Sequence, residues 1–285
     1  MSSILTNTSA MVALQNLKAV SAGLEKTQDE ISTGKTIGAA KDNSAIWAIS
    51  KVMESDVAGF NAIKDSLALG ESTVAVASAG AEQITDLLKE MKEKVVAATG
   101  ENVDHSKITA DVSALKDQIT SIIGASQFNG SNLLNADGGN ITVLSSLDRD
   151  ATGGVAATNI TVSSVNFEDN LDLSTINVSS STNADASIAA IEGLIQTAVD
   201  GAASLGAASK RISDQSNFVS KVTDAMKTGI GSMVDADMEE ASAKLQALQV
   251  QQQLGVQALS IANNPSAIDG IVPLILWGLR PPSFS

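Results

Sequence analysis

The stretch that decides the fold runs from residue 234 to residue 262 and reads VDADMEEASAKLQALQVQQQLGVQALSIA. Its apolar and small residues recur at alternating steps of four and three, which is the a/d pattern of a coiled-coil helix. The residues that follow this pattern are Val234, Met238, Ala241, Leu245, Leu248, Gln252, Gly255, Leu259 and Ala262. A helix with such a face needs a partner that covers it.

A matching pattern lies near the other end of the chain. Leu17, Leu24 and Ile31 recur every seven residues, and Leu14 precedes them. Because neither stripe has a partner in its own segment, we expect the two terminal helices to lie side by side, against each other or against another copy of the chain. The predicted subunit-assembly seam comprises Leu14, Leu17, Leu24, Ile31, Val234, Met238, Leu245, Leu248 and Leu259.

Helical periodicity covers both flanks of the chain, while the middle has a different pattern. Apolar stripes predict helices over residues 77–98, 104–124 and 188–226, with a break at the glycines of 34–43. Short alternating runs between glycines predict strands within 135–184. The predicted fold is mainly α: an elongated rod of long antiparallel helices with paired terminal coiled-coil helices and a small β-rich central insertion.

The composition argues against an enzyme. Aromatic residues make up 2% of the chain, which has one His and no Tyr or Cys. A catalytic cleft usually draws its acids, bases and ligands from such residues. The net charge of −14 disfavours binding to nucleic acid or to an anionic membrane. We therefore expect no catalytic residue, no cofactor, no metal site and neither of these two partners.

Two polar features could suggest a metal site, and both have simpler explanations. The carboxylates of Asp235, Asp237, Glu239 and Glu240 lack the glycine and the distal glutamate of a calcium loop, and acidic residues are favourable at a helix start. His105 follows Asp104 at a predicted helix start, where we expect a solvated or capping role.

Three ordered motifs resemble those of bacterial flagellins. They are ISTGKTIGAAKDNSAIWAIS at 31–50, FNGSNLLN at 128–135 and SMVDADMEEASAKLQALQVQQQLG at 232–255. The short central insertion is most similar to the compact flagellins of alphaproteobacteria. The residues that carry the family signature are Ser32, Thr33, Gly34, Lys41, Asp42, Phe128, Asn129, Gly130, Asp235 and Asp237.

The resemblance implies a structural subunit that polymerises into the flagellar filament. The resemblance also implies four regions, two of which are formed by segments from both halves of the chain. These are the two halves of an inner coiled-coil domain (1–40 and 232–264), the two halves of a helical middle domain (41–135 and 187–231), an outer β-rich insertion (136–186) and an atypical tail (265–285). The tail holds every proline of the chain, so we expect the helix to end near Asn264. The outer insertion is expected to tolerate deletion.

The resemblance also implies partners and a location. A flagellin is exported unfolded through the flagellar type III apparatus with a chaperone, and its filament contacts hook-associated and cap proteins outside the cell. The N-terminus fits this route, because it lacks the basic and apolar regions of a secretory signal. Recognition by the vertebrate flagellin receptor is expected to be weak, since Glu90 in the segment EMKEK (90–94) occupies the place of a family arginine.

Two alternatives remain open at this point. A hook–filament junction protein would share the terminal helices but usually differs across the segment DADM at 235–238. A signalling coiled coil belongs to another class, and it would need a membrane-spanning or sensor segment. No apolar run of the sequence approaches the roughly 20 residues that a spanning helix requires.

Overall fold

The computed structural model describes residues 7–149 and 154–262 of the chain. This part is mainly helical, which confirms the predicted fold class, and its β structure consists of two two-stranded antiparallel sheets. The α-helices are α1 (Thr8–Thr33), α2 (Ser44–Ala97), α3 (His105–Ala125), α4 (Phe167–Asn170), α5 (Ser181–Val234) and α6 (Met238–Ala262). The strands are β1 (Gln127–Phe128), β2 (Ser131–Asn132), β3 (Ile141–Arg149) and β4 (Val155–Val162).

The two long helices extend further than their apolar stripes predicted. Helix α2 begins at Ser44 rather than near residue 77, and α5 covers Ser181–Val234 rather than 188–226. The extra turns carry many Ala, Ser and Gly residues, which give a weak apolar stripe but leave the backbone free to stay helical. No proline interrupts either segment.

The chain packs as two compact units. One unit is Glu54–Lys227, and the other consists of the chain on either side of it. The first unit contains a continuous apolar core to which α2, α3, α5 and both strands of the longer sheet contribute. Its fully buried large side chains include Ile63, Leu67, Ile84, Leu88, Met91, Ile119, Leu133, Phe167, Ile191, Leu205 and Ile212.

The β3–β4 hairpin belongs to this core. Val143, Ile160 and Val162 are buried in it, and Phe167 just after the hairpin is completely buried. A bulge between Leu144 and Ser146 turns the backbone of Ser145 towards α5, where Gln215 Nε2 donates a hydrogen bond to its carbonyl oxygen at 2.7 Å. This packing disagrees with the expectation that the region tolerates deletion, because its apolar face completes the core of the unit.

The segment between α4 and α5 is attached to α3 by two side chains. Lys116 Nζ donates to the Ile176 carbonyl oxygen at 2.7 Å, and His105 Nδ1 lies 3.2 Å from the Val178 carbonyl oxygen. Burial lowers the pKa of Lys116, and the charge of Asp172 opposes that shift. The solvated or capping role expected for His105 is thus wrong. Its ring is half-buried against this segment.

The cap of α3 is the preceding aspartate. Asp104 Oδ1 accepts hydrogen bonds from the backbone N–H groups of Ser106 and Lys107 at 3.2 and 3.3 Å. These bonds satisfy donors that the first helical turn leaves unpaired. The N-cap of α3 is therefore Asp104 and not His105.

The turn at 128–130 closes the small β1–β2 hairpin. Asn129 and Gly130 both have positive φ angles, 50° and 85°, as a two-residue turn of type I′ requires. Asparagine and glycine are the residues that adopt this backbone most readily. Phe128, Asn129 and Gly130 of the signature therefore have a local structural role.

Candidate assembly surface

Helices α1 and α6 pack against each other in antiparallel orientation. At one end, Asn7 Nδ2 donates to the Ala262 carbonyl oxygen at 2.7 Å. Further along, a methyl group added at Gly255 would lie 3.2 Å from Leu17 Cδ1, and one added at Gly23 would lie 3.5 Å from Leu248 Cδ2. The two terminal helices thus lie side by side within one chain, as their stripes predicted.

The contact face of this pair follows the heptad pattern closely. Val234, which lies just before α6, and Ala241 are buried. The other residues of the heptad pattern on α6 are half-buried, except for Met238, which is exposed. The half-buried residues of the predicted seam are Leu17, Leu24, Ile31, Leu245, Leu248 and Leu259.

Two residues of the predicted seam lie off this face. Leu14 and Met238 are each 43% exposed. On α1 the face is completed instead by Ala10, Ala13 and Thr27. Thr27 is fully buried, and its hydroxyl is satisfied there by donating to the Gly23 carbonyl oxygen at 3.0 Å. A pattern search for large apolar residues passes over such small and polar positions, although their spacing continues the heptads.

A second apolar surface remains uncovered on the same pair. Val250, Leu254 and Ile261 recur along one stripe of α6, and each is more than half exposed. The whole group, here termed the exposed apolar cluster, comprises Met11, Val12, Leu14, Val250, Leu254, Val256 and Ile261. Most of it lies towards the end of the pair marked by the Asn7–Ala262 contact. The stripe of Val250, Leu254 and Ile261 is the continuous part of this cluster, and an exposed apolar stripe is typical of a site of protein association.

The other end of the pair is held by a backbone clasp, formed by residues 34–37 and 234–236. The Val234 carbonyl oxygen accepts from the Thr36 N–H at 2.8 Å and from the Thr36 hydroxyl at 3.2 Å. The Ala236 N–H donates to the Gly34 carbonyl oxygen at 2.9 Å, and Lys35 pairs with Asp235 as an antiparallel bridge. The clasp thus joins the N-terminal and C-terminal signature motifs directly.

The N-terminal signature residues shape the turn that enters the clasp. Gly34 ends α1 with a φ of 68°, in the left-handed region that glycine adopts without strain. Thr33 Oγ1 donates to the Asp29 carbonyl oxygen at 2.7 Å. Asp42 Oδ2 accepts from the backbone N–H groups of Gly38 and Ala39 at 3.2 and 2.9 Å. Ser32 and Lys41 lie exposed beside this turn.

The acidic start of α6 has a capping function. Asp237 Oδ1 accepts from the backbone N–H groups of Glu239 and Glu240 at 2.9 and 3.2 Å. Glu239 and Glu240 occupy the first turn, where negative charge interacts favourably with the helix dipole. The helix-start explanation of this cluster therefore fits its geometry. Within 7–149 and 154–262, no three His, Asp or Glu residues converge in a way that could hold a metal ion.

A cleft of about 500 Å³ lies beside the clasp, between the C-terminal half of α1 and the 35–42 turn. Charged side chains of both signs line it, including Glu25, Lys26, Asp29 and Lys41. Apolar walls with a few converging polar groups are typical of small-molecule sites. This lining differs from that pattern. Among the described helices, none is both long enough and apolar enough to cross a membrane.

Two family models match the chain. The bacterial flagellin N-terminal helical region matches residues 4–138, and the bacterial flagellin C-terminal helical region matches residues 188–268. Together they include all of α1, α2, α3 and α6 and most of α5. The matched regions leave out the β3–β4 hairpin and the segment that follows it.

Flagellins of several alphaproteobacteria are similar to this chain over most of its length. Flagellin FljM of Caulobacter vibrioides is 40% identical over 270 residues, covering 94% of this chain and 97% of that protein. The flagellin of Brucella melitensis is 39% identical over 272 residues, covering 93% and 96%. Flagellin A of Rhizobium meliloti is 32% identical over 386 residues, covering 93% and 98%. The crystal structure of Bacillus cereus flagellin aligns at 22% identity with a TM-score of 0.48, covering 54% of this chain and 88% of that one.

Proposed function

This chain belongs to the bacterial flagellin family, and from that premise we propose that its exposed apolar cluster is the surface through which copies polymerise. The family match confirms the resemblance seen in the three sequence motifs. As a flagellin, the chain is a structural subunit of the bacterial flagellar filament. The proposal concerns which residues make the contacts between subunits.

The uncovered apolar surface on α1 and α6 supports this proposal most directly. Each side chain of the cluster that leaves water on assembly stabilises the polymer by about 1.5–3 kcal/mol when fully buried. Three of these residues, Val250, Leu254 and Ile261, form one exposed apolar stripe along α6. The contact face between α1 and α6 stabilises the helix pair within one chain. It includes Leu17, Leu248 and most of the predicted seam.

The remaining partners are proposed from family membership. The chain is exported in an unfolded state by the flagellar type III apparatus with a dedicated chaperone, and its filament contacts hook-associated and cap proteins in the extracellular space. The subunit acts without catalysis, cofactor or metal. Neither the hook–filament junction role nor the signalling role has an observation of its own in its favour.

Weak recognition by the vertebrate flagellin receptor is also part of the proposal. Glu90 is exposed on α2, where its carboxylate reverses the charge of the arginine that the family motif carries. The neighbouring Lys92 is held in an ion pair with Glu192 of α5. A reporter-cell assay in which the native monomer reaches the potency of an arginine-bearing flagellin would contradict this expectation.

Polymerisation of surface variants tests the assembly proposal. Replacing Val250, Leu254 and Ile261 together by Ser should raise the critical concentration at least about a hundredfold, because three apolar contacts are lost. The matched control replaces Gln249, Gln253 and Gln257, which are exposed polar residues of the same helix, by Ser. Sedimentation and electron microscopy give the readout. Equal polymerisation of both triple variants would exclude this surface as the subunit contact.

A further inference from the structure

Met11, which belongs to the exposed apolar cluster, places a thioether on the exposed face of α1 one turn from Leu14. The residue is 61% exposed, whereas Met91 in the core of the other unit is fully buried. Along α1 it lies between the two contacts with α6 at Asn7 and Leu17. An oxidisable sulfur is therefore open to solvent inside the surface proposed to be covered on assembly.

Methionine is the only sulfur-containing residue type in the chain. The chain contains no cysteine, so no thiol competes for a two-electron oxidant. The sulfur lone pair of methionine attacks one oxygen of a peroxide, an S–O bond forms as the O–O bond breaks, and water leaves. The sulfur loses two electrons and the peroxide gains them. The product is a polar, chiral sulfoxide, which enzymatic reduction converts back to the thioether.

We propose that Met11 is an oxidation site that regulates self-assembly, with hydrogen peroxide as the oxidant. This inference rests on the proposed function. In the thioether form, Met11 contributes to an apolar contact between subunits. In the sulfoxide form, it brings a strong hydrogen-bond acceptor into that contact, and burying such a group without a donor is unfavourable. Oxidation thus lowers the tendency to polymerise, and reduction restores it.

Met238 provides an internal control. It is 43% exposed, so peroxide reaches it too. Its neighbours in sequence are the carboxylates of Asp237, Glu239 and Glu240 rather than other apolar side chains. A sulfoxide there adds one more polar group to a surface that is already polar. The effect on assembly should therefore depend on which of the two thioethers is oxidised.

The test compares the wild-type chain with Met11→Leu and Met238→Leu, each treated as a monomer with hydrogen peroxide and then with catalase. Peptide mass spectrometry measures the sulfoxide at each methionine, and sedimentation measures the critical concentration. We expect Met11 and Met238 to be oxidised before Met91. Oxidation should raise the critical concentration about tenfold for wild type and Met238→Leu, but not for Met11→Leu. Methionine sulfoxide reductase should reverse the change.

Two results would overturn the inference while leaving the proposed function intact. One is normal polymerisation of wild-type protein whose Met11 is fully oxidised. The other is an equal loss of assembly in oxidised Met11→Leu. If untreated wild-type protein does not polymerise at all, the proposed function and this inference both fail. As a second readout, Met11 in preformed filaments should resist peroxide relative to Met11 in the monomer, and equal reactivity would also contradict the inference.

Discussion

Three glycines of α2 lie where other segments approach the helix closely: the β3–β4 hairpin at Gly59 and Gly70, and the C-terminal end of α3 at Gly80. A methyl group added at Gly70 would lie 2.4 Å from Val143 Cγ2, and one added at Gly59 would lie 2.8 Å from Leu147 Cδ1. At Gly80 it would lie 2.2 Å from Ser126 Oγ. A glycine inside a helix costs about 1 kcal/mol relative to alanine. The close approach of the hairpin and of the C-terminal end of α3 offsets this cost.

Substitution at Gly70 should show whether the close approach of the hairpin outweighs the cost of a glycine inside the helix. We expect Gly70→Ala to lower the free energy of unfolding by about 1–3 kcal/mol, because Val143 has to move out of its packed position. The control is Gly206→Ala in α5, where no atom lies within 4 Å of the added methyl group. It should raise the free energy of unfolding by up to about 1 kcal/mol. Urea unfolding followed by circular dichroism measures both. A stabilising Gly70→Ala would contradict the packing described.

Asp148 on β3 makes the stability of the fold depend on pH. Its carboxylate accepts from Ser146 Oγ at 2.6 Å and from Thr158 Oγ1 at 2.8 Å, and these bonds lower its pKa below the ordinary 3.8. A carboxyl group with a depressed pKa in the folded state stabilises the fold above its unfolded pKa. That contribution disappears as the pH falls through the folded pKa.

The Asp148→Asn variant tests this dependence. It should be less stable than wild type at neutral pH, and the difference should shrink below about pH 3.8 as the wild-type carboxylate gains its proton. Ser146→Ala removes one donor and should change stability in the same direction. Unfolding curves recorded at a series of pH values measure the difference. A difference that stays constant down to the lowest pH would show that these hydrogen bonds do not favour the charged form.

At the scale of elements, helices and their partners were predicted most accurately where large apolar residues recur at one regular spacing. The partnership of α1 and α6 follows from leucines at heptad spacing. The first half of α2 was missed although Ile63 and Leu67 are fully buried there, because small and polar residues such as Ser50 and Thr73 occupy other buried positions. Leu14 was assigned to the seam because it is large, whereas Ala13 beside it lies closer to the contact face. The clasp depends on backbone hydrogen bonds between distant segments, which no local pattern reveals.

The contact face between α1 and α6 can be weakened without touching the exposed apolar cluster. Replacing Leu245 and Leu248 by Ala should cost about 2 kcal/mol in total, less than for fully buried leucines because both are half-buried. Faster hydrogen exchange in α1 and α6 and a higher critical concentration should follow. The control replaces the exposed Gln246 and Gln249 by Ala. Normal filaments from the leucine variant would show that the seam was wrongly assigned.

At the scale of the whole molecule, charge is distributed unevenly along the chain. Glu54–Lys227 holds 23 of the 32 acidic residues but only 11 of the 18 basic ones. The rest of the chain, which carries the proposed assembly surface, is close to neutral. Copies that polymerise therefore bring together units of like charge, and their repulsion opposes assembly.

Salt should accordingly promote polymerisation. Raising the ionic strength from about 0.01 M to 0.15 M shortens the Debye length from about 30 to 8 Å, which screens repulsion between subunits while leaving apolar burial nearly unchanged. We expect a lower critical concentration and faster elongation at the higher salt concentration. Sodium chloride and potassium chloride should act alike at equal ionic strength. Slower assembly with added salt would mean that attraction between opposite charges, rather than apolar burial, dominates the contact.

If the exposed apolar cluster of α1 and α6 forms the contact between subunits, its side chains leave water when the filament forms. A helical reconstruction by electron microscopy of filaments grown from the purified chain would show this. We expect Met11, Val250, Leu254 and Ile261 to lie within about 4.5 Å of apolar atoms of a neighbouring subunit. Filaments in which these four side chains remain in contact with water would contradict it.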